Sequence, residues 1–283
     1  MTHVVHSAEE LDALLTPSRV EGKVIALVPT MGALHEGHLE LVRRARLDAD
    51  VVVVSIFVNP LQFSAGEDFD RYPRSLENDV AKLNGSADIV FAPTPEVMYP
   101  EENTSKLSAG EVGDLFEGAS RPGHFDGVLT AVSRLCELVQ PQIAVFGQKD
   151  AQQVFVISRM VATSFPTLAL VIVPTVREED GLALSSRNVY LSDSEREDAR
   201  VMPHALLAAS HAARHSSASD IVRAGKKAFE QYPLVRLEYL ELVDPSTFNP
   251  VENDYTGEAT LIVAAYVGTT RLIDTENLEI IHA

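Results

Sequence analysis

Cysteine is almost absent. Cys136 is the only one in 283 residues, so no intrachain disulfide can form, and the chain suits a reducing compartment. It lies in GVLTAVSRLCELV, where Leu129, Val132, Cys136 and Val139 recur at helical spacing, and it reads as a small buried apolar residue. Long apolar runs are absent as well: none approaches the roughly 18 residues needed to span a bilayer. Missing too is the charged-then-apolar order of a secretory signal. The opening MTHVVHSAEELDALL reads instead as a helix capped near Ser7. A soluble, cytoplasmic protein with no membrane partner is expected. Basic charge is scarce, with 23 Lys and Arg against 41 Asp and Glu and a formal charge of −18. A nucleic-acid partner is therefore not expected, because binding one needs a basic surface that displaces counterions. An acidic chain can still bind ATP, provided its phosphates meet local cations and backbone N–H groups.

The composition is ordinary for a globular protein, with 46% hydrophobic and 23% charged residues. Continuous apolar runs at Val24–Val28, Val51–Val58, Ile89–Ala92, Ile143–Phe146 and Leu168–Val173 suit strands covered on both faces. Helix-period segments lie between them at Leu39–Leu47, Leu76–Leu83, Val128–Val139 and Val154–Val161. This alternation predicts an α/β domain with a Rossmann-like, doubly wound parallel sheet, spanning residues 1–176. After about Val176 the texture changes. Helices over Ser194–His215 and Ser219–Gln231 precede strands near Val235–Val243, Ala259–Val267 and Arg271–Leu278, which predicts a smaller C-terminal α+β domain over 177–283. The charged segment Phe63–Arg74 reads as a loop.

Ligands of doubly wound sheets sit beyond the carboxyl ends of the strands. The first such place holds MGALHEGHL, Met31–Leu39. A zinc protease helix needs two histidines at i and i+4; His35 and His38 stand at i and i+3, with no third ligand nearby. Gly32 and Gly37 allow close backbone approach, and a helix starting near Gly37 offers unpaired amides. Phosphate is favoured over metal. FGQKDAQQ follows the Ile143–Phe146 strand. Gly147 opens the turn, Lys149 is a compact cation, Asp150 suits a helix N-cap, and Gln153 falls one turn later. In DGLALSSRN, Ser185, Ser186 and Arg187 can wrap phosphate oxygens, and neither serine sits in a G-x-S-x-G elbow. In FVNPLQF, Asn59 and Gln62 supply uncharged hydrogen bonds suited to hydroxyl, amide or carboxylate groups. His204, His211 and His215 read as a solvated helix face, and Glu178-Glu179-Asp180 as a solubilising run.

Four such turns together describe a nucleotide crevice with the histidine pair, Lys149 and Arg187 as its cationic elements. They suit phosphoryl or nucleotidyl transfer by charge stabilisation. No P-loop is present. A nucleotidylyltransferase that builds a dinucleotide and an ATP-binding regulatory module are the competing readings.

The ordered motifs PTMGALHEGH, FVNPLQF, RPGHFDGV, FGQKDAQQ and VREEDGLALSSRNVYL, with YLELVDPSTF near the C-terminus, resemble those of the pantothenate synthetases (pantoate–β-alanine ligases). These belong to the H-x-G-H nucleotidylyltransferase superfamily. Gln148 stands where Glu is frequent, Ala151 where an aromatic is common and Leu184 where Met is usual; the differences bear on fine substrate packing. The resemblance implies an ATP-dependent condensation of pantoate with β-alanine through pantoyl adenylate, with Mg²⁺ accompanying ATP and no protein-held metal. It implies that His35, His38, Lys149 and Arg187 are catalytic, His38 matching the usual proton donor. It places ATP against Pro29, Thr30, Met31, Gly32 and Gly37 of the first motif. Gly147, Gln148, Asp150, Val176, Leu184, Ser185 and Ser186 complete the ATP set. Met31, Asn59, Gln62 and Gln153 would hold the substrates. A homodimer with a mobile C-terminal lid is the expected assembly.

Overall fold

Runs of β-branched residues flanked by helical periods become one parallel sheet. The computed structural model describes residues 2–64, 66–67, 69–100 and 106–281. Its strands are β1 (His3–Val5), β2 (Ile25–Thr30), β3 (Val51–Ile56), β4 (Ile89–Phe91), β5 (Ile143–Gly147) and β6 (Ala169–Val173). They lie in the order β1-β4-β3-β2-β5-β6, and every pairing is parallel. Register runs from Ile25 opposite Val51 to Thr30 opposite Ile56, so β2 and β3 end level with each other. β2 is central. The chain leaves it toward β3 and β4 on one side and returns to β5 and β6 on the other, which creates the switch point where such sheets take ligands.

The helices are α1 (Ala8–Val20), α2 (Glu36–Asp48), α3 (Leu76–Leu83), the short α4 (Pro95–Met98) and α5 (Glu117–Ser120), α6 (His124–Val139) and α7 (Ala151–Ser164). Ser7 caps α1 in a reciprocal box with Glu10, a device worth about 1 kcal/mol. Alternation along the strands divides the core in two. Ala26, Val28, Val52 and Val54 pack with Leu41, Val42 and Ala45 of α2 and Leu83 of α3. Ile25, Leu27 and Val53, of opposite parity, are also fully buried, and α6 packs against β2 and α1. Cys136 is 2% exposed within α6, and burial pushes its thiol up to about 12, so it is inert packing as expected. Among the described residues no helix is long and apolar enough to cross a membrane.

The second body of structure carries α8 (Asp193–Asp198), α9 (Val201–Ala212), α10 (Ala218–Ala228) and an antiparallel sheet of β7 (Val235–Val243), β8 (Gly257–Val267) and β9 (Thr270–Ile280). The expected single helix over Ser194–His215 is broken at Ala199-Arg200. Pro203 has no N–H to give the Ala199 carbonyl and would crowd it, so that carbonyl accepts the Met202 amide at 3.0 Å and a new helix begins. Met202, Leu206, Ile221, Leu240, Leu261 and Val263 form the core here.

The chain divides into two compact units, Met1–Gly147 with Val156–Val173, and Gln148–Phe155 with Pro174–Ala283. The architecture is thus α/β and Rossmann-like, with a small antiparallel sheet as its second part.

Candidate active site

The turn after β2 is built by a carboxylate distant in sequence. Gly32 has φ +84° and Ala33 φ +50°, a left-handed path that glycine follows freely and alanine does not. Asp79 of α3, 2% exposed, holds this path by accepting the Ala33 amide at 3.0 Å and the Leu34 amide at 2.7 Å. A Cβ on Gly32 would lie 3.0 Å from that carboxylate. Lys82 adds a bond to the Leu34 carbonyl at 2.6 Å. Thr30 joins the strand end to β3, its hydroxyl donating to the Ser55 carbonyl at 2.7 Å and accepting from the Gly32 amide at 3.2 Å.

The chain then enters α2 with His35 as N-cap. His35 Nδ1 accepts from the Gly37 amide, and His38 Nδ1 accepts from the His35 amide, both at 3.2 Å. A nitrogen that accepts from an N–H carries no proton, so each neutral ring bears its proton on Nε2. The rings lie 4.0 Å apart at 39°. The Gly37 amide, offered to an anion by the sequence, is spent on orienting an imidazole. The helix start therefore carries two imidazoles whose protons stand on Nε2.

Beyond β3, a 3-10 turn at Pro60–Gln62 follows Asn59. Asn59 is 1% exposed, and all of its amide valences are used. Its Nδ2 donates to Gln62 Oε1 at 3.1 Å and the Gly127 carbonyl at 3.0 Å. Its Oδ1 accepts the Leu61 amide at 3.1 Å and the Tyr99 hydroxyl at 2.7 Å. Burial raises the Tyr99 phenol well above its ordinary range, so Tyr99 remains a donor. Gln62, oriented by Asn59, points its Nε2 at Met31 Sδ, 3.0 Å away. Met31 and Gln62, expected at the substrate, are thus brought together.

In the second unit, Gln148 and Lys149 turn out of β5, and Asp150 takes the N-cap position of α7, its carbonyl accepting from Val154 at 3.0 Å. Gln153 is half-buried in the first turn of that helix. The segment 176–184 is a small hairpin: the Val176 carbonyl accepts from Leu184 at 3.0 Å, Arg177 bridges Ala183, and Gly181 turns the tip at φ +90°. Ser185 caps the following 3-10 turn Ser186–Tyr190 by accepting from the Arg187 amide. A hydroxyl used in this way still has its proton to donate.

The acidic run here is structural, contrary to the solubilising role expected of it. Glu178 and Asp180 both pair with Arg196 at 2.7 Å, and the hydrogen bond from Arg196 holds the Asp180 carboxyl below its usual range. Arg177 forks onto Asp274 of β9. His204, His211 and His215 are exposed as expected.

Met31, Gly32, His35, Gly37, His38, Asn59, Gln62 and Gly147 thus belong to the first unit. Gln148, Lys149, Asp150, Gln153, Val176, Leu184, Ser185, Ser186 and Arg187 belong to the second. Asp79, Asp274 and Tyr99 stand in no motif that the sequence singles out. Asp79 had one detectable signal: it shares an inward helical stripe with Leu76 and Leu83, where a carboxylate needs partners. Among the described residues no group of three or more His, Cys, Asp or Glu side chains is placed to hold a metal ion.

The chain matches the model of the pantoate-beta-alanine ligase family over residues 3–277. A pantothenate synthetase of Leifsonia xyli subsp. xyli is 55% identical over 255 residues, which is 90% of this chain and 88% of that relative. The crystal structure of pantothenate synthetase from Thermus thermophilus is 48% identical with a TM-score of 0.90, covering 98% of this chain and 99% of its own. Pantoate-beta-alanine ligase from Francisella tularensis, solved with beta-gamma ATP and beta-alanine, is 31% identical with a TM-score of 0.80, covering 98% of this chain and 97% of its own. The order of motifs, the switch-point histidines and these likenesses agree: the chain belongs to the pantoate-beta-alanine ligase family.

Proposed function

We propose that this chain condenses pantoate with β-alanine at the expense of ATP, through pantoyl adenylate. A pantoate carboxylate oxygen attacks the α-phosphorus of ATP, the bond to the bridging oxygen of the β-phosphate breaks, and pyrophosphate leaves. The β-alanine amine then attacks the acyl carbon, AMP departs, and the nitrogen loses a proton as the amide forms. Family membership and a relative solved with an ATP compound and beta-alanine support this reading.

The observation that carries it is the locked pair of imidazoles at the switch point. Two Nε2–H donors fixed by backbone amides stabilise charge as it develops on phosphate oxygens without reorganising. In this reading His38 is the proton donor and His35 its partner, while Pro29, Thr30, Gly32 and Gly37 shape the approach to ATP. Lys149, Ser185, Ser186 and Arg187 hold the triphosphate and the leaving pyrophosphate. Gln148 and Asp150 flank the nucleotide, and the backbone at Gly147, Val176 and Leu184 meets adenosine. Gln62 and Gln153 bind pantoate, with Met31 against its methyl groups and Asn59 orienting Gln62. The residues present suit a Mg²⁺ ion that arrives on the triphosphate and keeps water ligands, since that ion binds through phosphates and few protein carboxylates. We take the enzyme to be a cytoplasmic homodimer whose second unit closes as a lid and keeps water from the adenylate.

The test is pyrophosphate release, followed with ATP and pantoate and then after β-alanine is added. Pantoate-dependent release is expected, followed by pantothenate once the amine is present. Release without pantoate, or an adenylate that β-alanine does not discharge, would overturn the assignment. A dinucleotide-forming enzyme would need further cations for a second phosphate, and Asn59–Gln62 supplies none.

A further inference from the structure

The turn that carries Gln62 is clamped to the start of α6 by contacts that none of the roles above requires. Gly127 of α6 lies directly beneath it: a Cβ there would stand 2.2 Å from the Leu61 carbonyl oxygen, 2.4 Å from its carbon and 2.7 Å from the Gln62 nitrogen. Backbone thus rests on backbone, and only glycine permits it. The Gly127 carbonyl then receives Asn59 Nδ2 at 3.0 Å.

At the other end of the turn, the Gln62 carbonyl accepts from His124 Nδ1 at 2.8 Å and from Arg121 Nη2 at 3.3 Å. Arg121 Nη1 lies 3.0 Å from His124 Nε2. A guanidinium has no acceptor, so it donates here, which leaves the His124 proton on Nδ1, facing Gln62. The Arg121 fork is held in turn by Glu67, through Nε and Nη2, each at 2.9 Å. Glu67 follows Gln62 by five residues in the sequence. The chain is therefore tied to α6 before and at Gln62, and after it to Arg121 in the turn that leads into α6.

We propose that Gly127, His124 and Arg121 form a positioning platform that sets where the Gln62 amide stands against Met31, and thereby sets recognition of the hydroxy acid. None of the three need touch substrate. The inference rests on the assignment of Gln62 and Met31 to pantoate. A displacement of about 1 Å at such a group can cost on the order of a hundredfold, and the added Cβ would enforce a shift of that size.

The experiment compares Gly127→Ala, His124→Leu and His124→Asn with wild type, measuring KM for pantoate, KM for ATP, kcat and the thermal midpoint. Asn can present an N–H near the position of Nδ1, so His124→Asn should keep pantoate KM within about twofold of wild type. His124→Leu and Gly127→Ala should raise pantoate KM roughly 10–100-fold with ATP KM little changed. If Gly127→Ala does not fold, the His124 pair decides the matter. Folded variants whose pantoate KM stays put, or whose two KM values rise together, would overturn the platform. A wild-type protein without pantoate-dependent pyrophosphate release would instead overturn the underlying assignment.

Discussion

Asp274, 3% exposed, receives both nitrogens of the Arg177 fork, at 2.6 and 3.1 Å, and the Thr275 amide at 2.8 Å. Burial pushes this carboxyl up from its ordinary range, while Arg177 and the amide pull it back. With three donors aimed at it, it stands as a carboxylate. Arg177 also donates to the Gly181 carbonyl at 3.1 Å, so the pair anchors the hairpin that leads into Ser185, Ser186 and Arg187.

Asp274→Ala should therefore act on both stability and ATP. Removing one partner of a buried pair costs about 3–5 kcal/mol, and the partial exposure of Arg177 argues for the lower end. Urea unfolding should show that loss, and ATP KM should rise more than pantoate KM in the folded variant. Replacing both residues with apolar ones should recover stability without recovering ATP KM. If stability is lost while ATP KM does not change, the proposed link from this pair to ATP fails.

His124 makes stability depend on pH. Burial first, and the Arg121 charge second, push its imidazole down from 6.5 to about 4. Above pH 6.5 both folded and unfolded chains hold it neutral, and its full contribution is present. As pH falls from 6.5 toward 4, the unfolded chain binds a proton that the folded chain refuses, so stability declines. Below about 4 both are protonated and the decline from this group stops. The change amounts to about 3 kcal/mol. His124→Asn should therefore lose about 3 kcal/mol less than wild type between pH 7 and pH 4 in urea unfolding. The carboxylates common to both proteins cancel in that difference, and parallel curves would contradict the mechanism.

Asp79 should prove as important as the histidines it does not touch. In Asp79→Ala the Ala33 and Leu34 amides lose their acceptor, at a cost of roughly 1–3 kcal/mol each. The left-handed turn at Ala33 then loses its support, and His35 with it. Asp79→Asn keeps one acceptor and should fall between wild type and Asp79→Ala in both thermal midpoint and adenylation rate. Full activity in Asp79→Ala would show that the turn holds without its carboxylate.

Local pattern revealed the elements and hid the clamps. The valine run of β3 and the stripe of α3 were legible because buried parallel strands and amphipathic helices leave periodic traces. β1 was not, since three residues are too few for any period. His35, His38 and Gln62 could be singled out because they stand where strands end. Their fixed tautomers and orientation depend on amides and side chains that no spacing announces. Arg177 and Asp274 are 97 residues apart in the chain, and Asp79 is 46 from Ala33; such pairs exist only once the fold does.

The sharpest separation of folding from chemistry is offered by His38 and Lys149. Each is half-buried, and neither belongs to the core cluster of its own unit. His38→Ala removes one fixed Nε2–H donor and the imidazole acceptor of the His35 amide. Lys149→Ala removes a compact cation from the turn after β5. Each should cost roughly 3–4 kcal/mol of transition-state stabilisation, or about 10²–10³ in kcat, with thermal midpoints near that of wild type. The two losses should combine to less than their sum if both groups serve one developing charge. Single-turnover formation of pyrophosphate measures the step directly. Near-wild-type rates in either variant would remove that residue from the adenylation step.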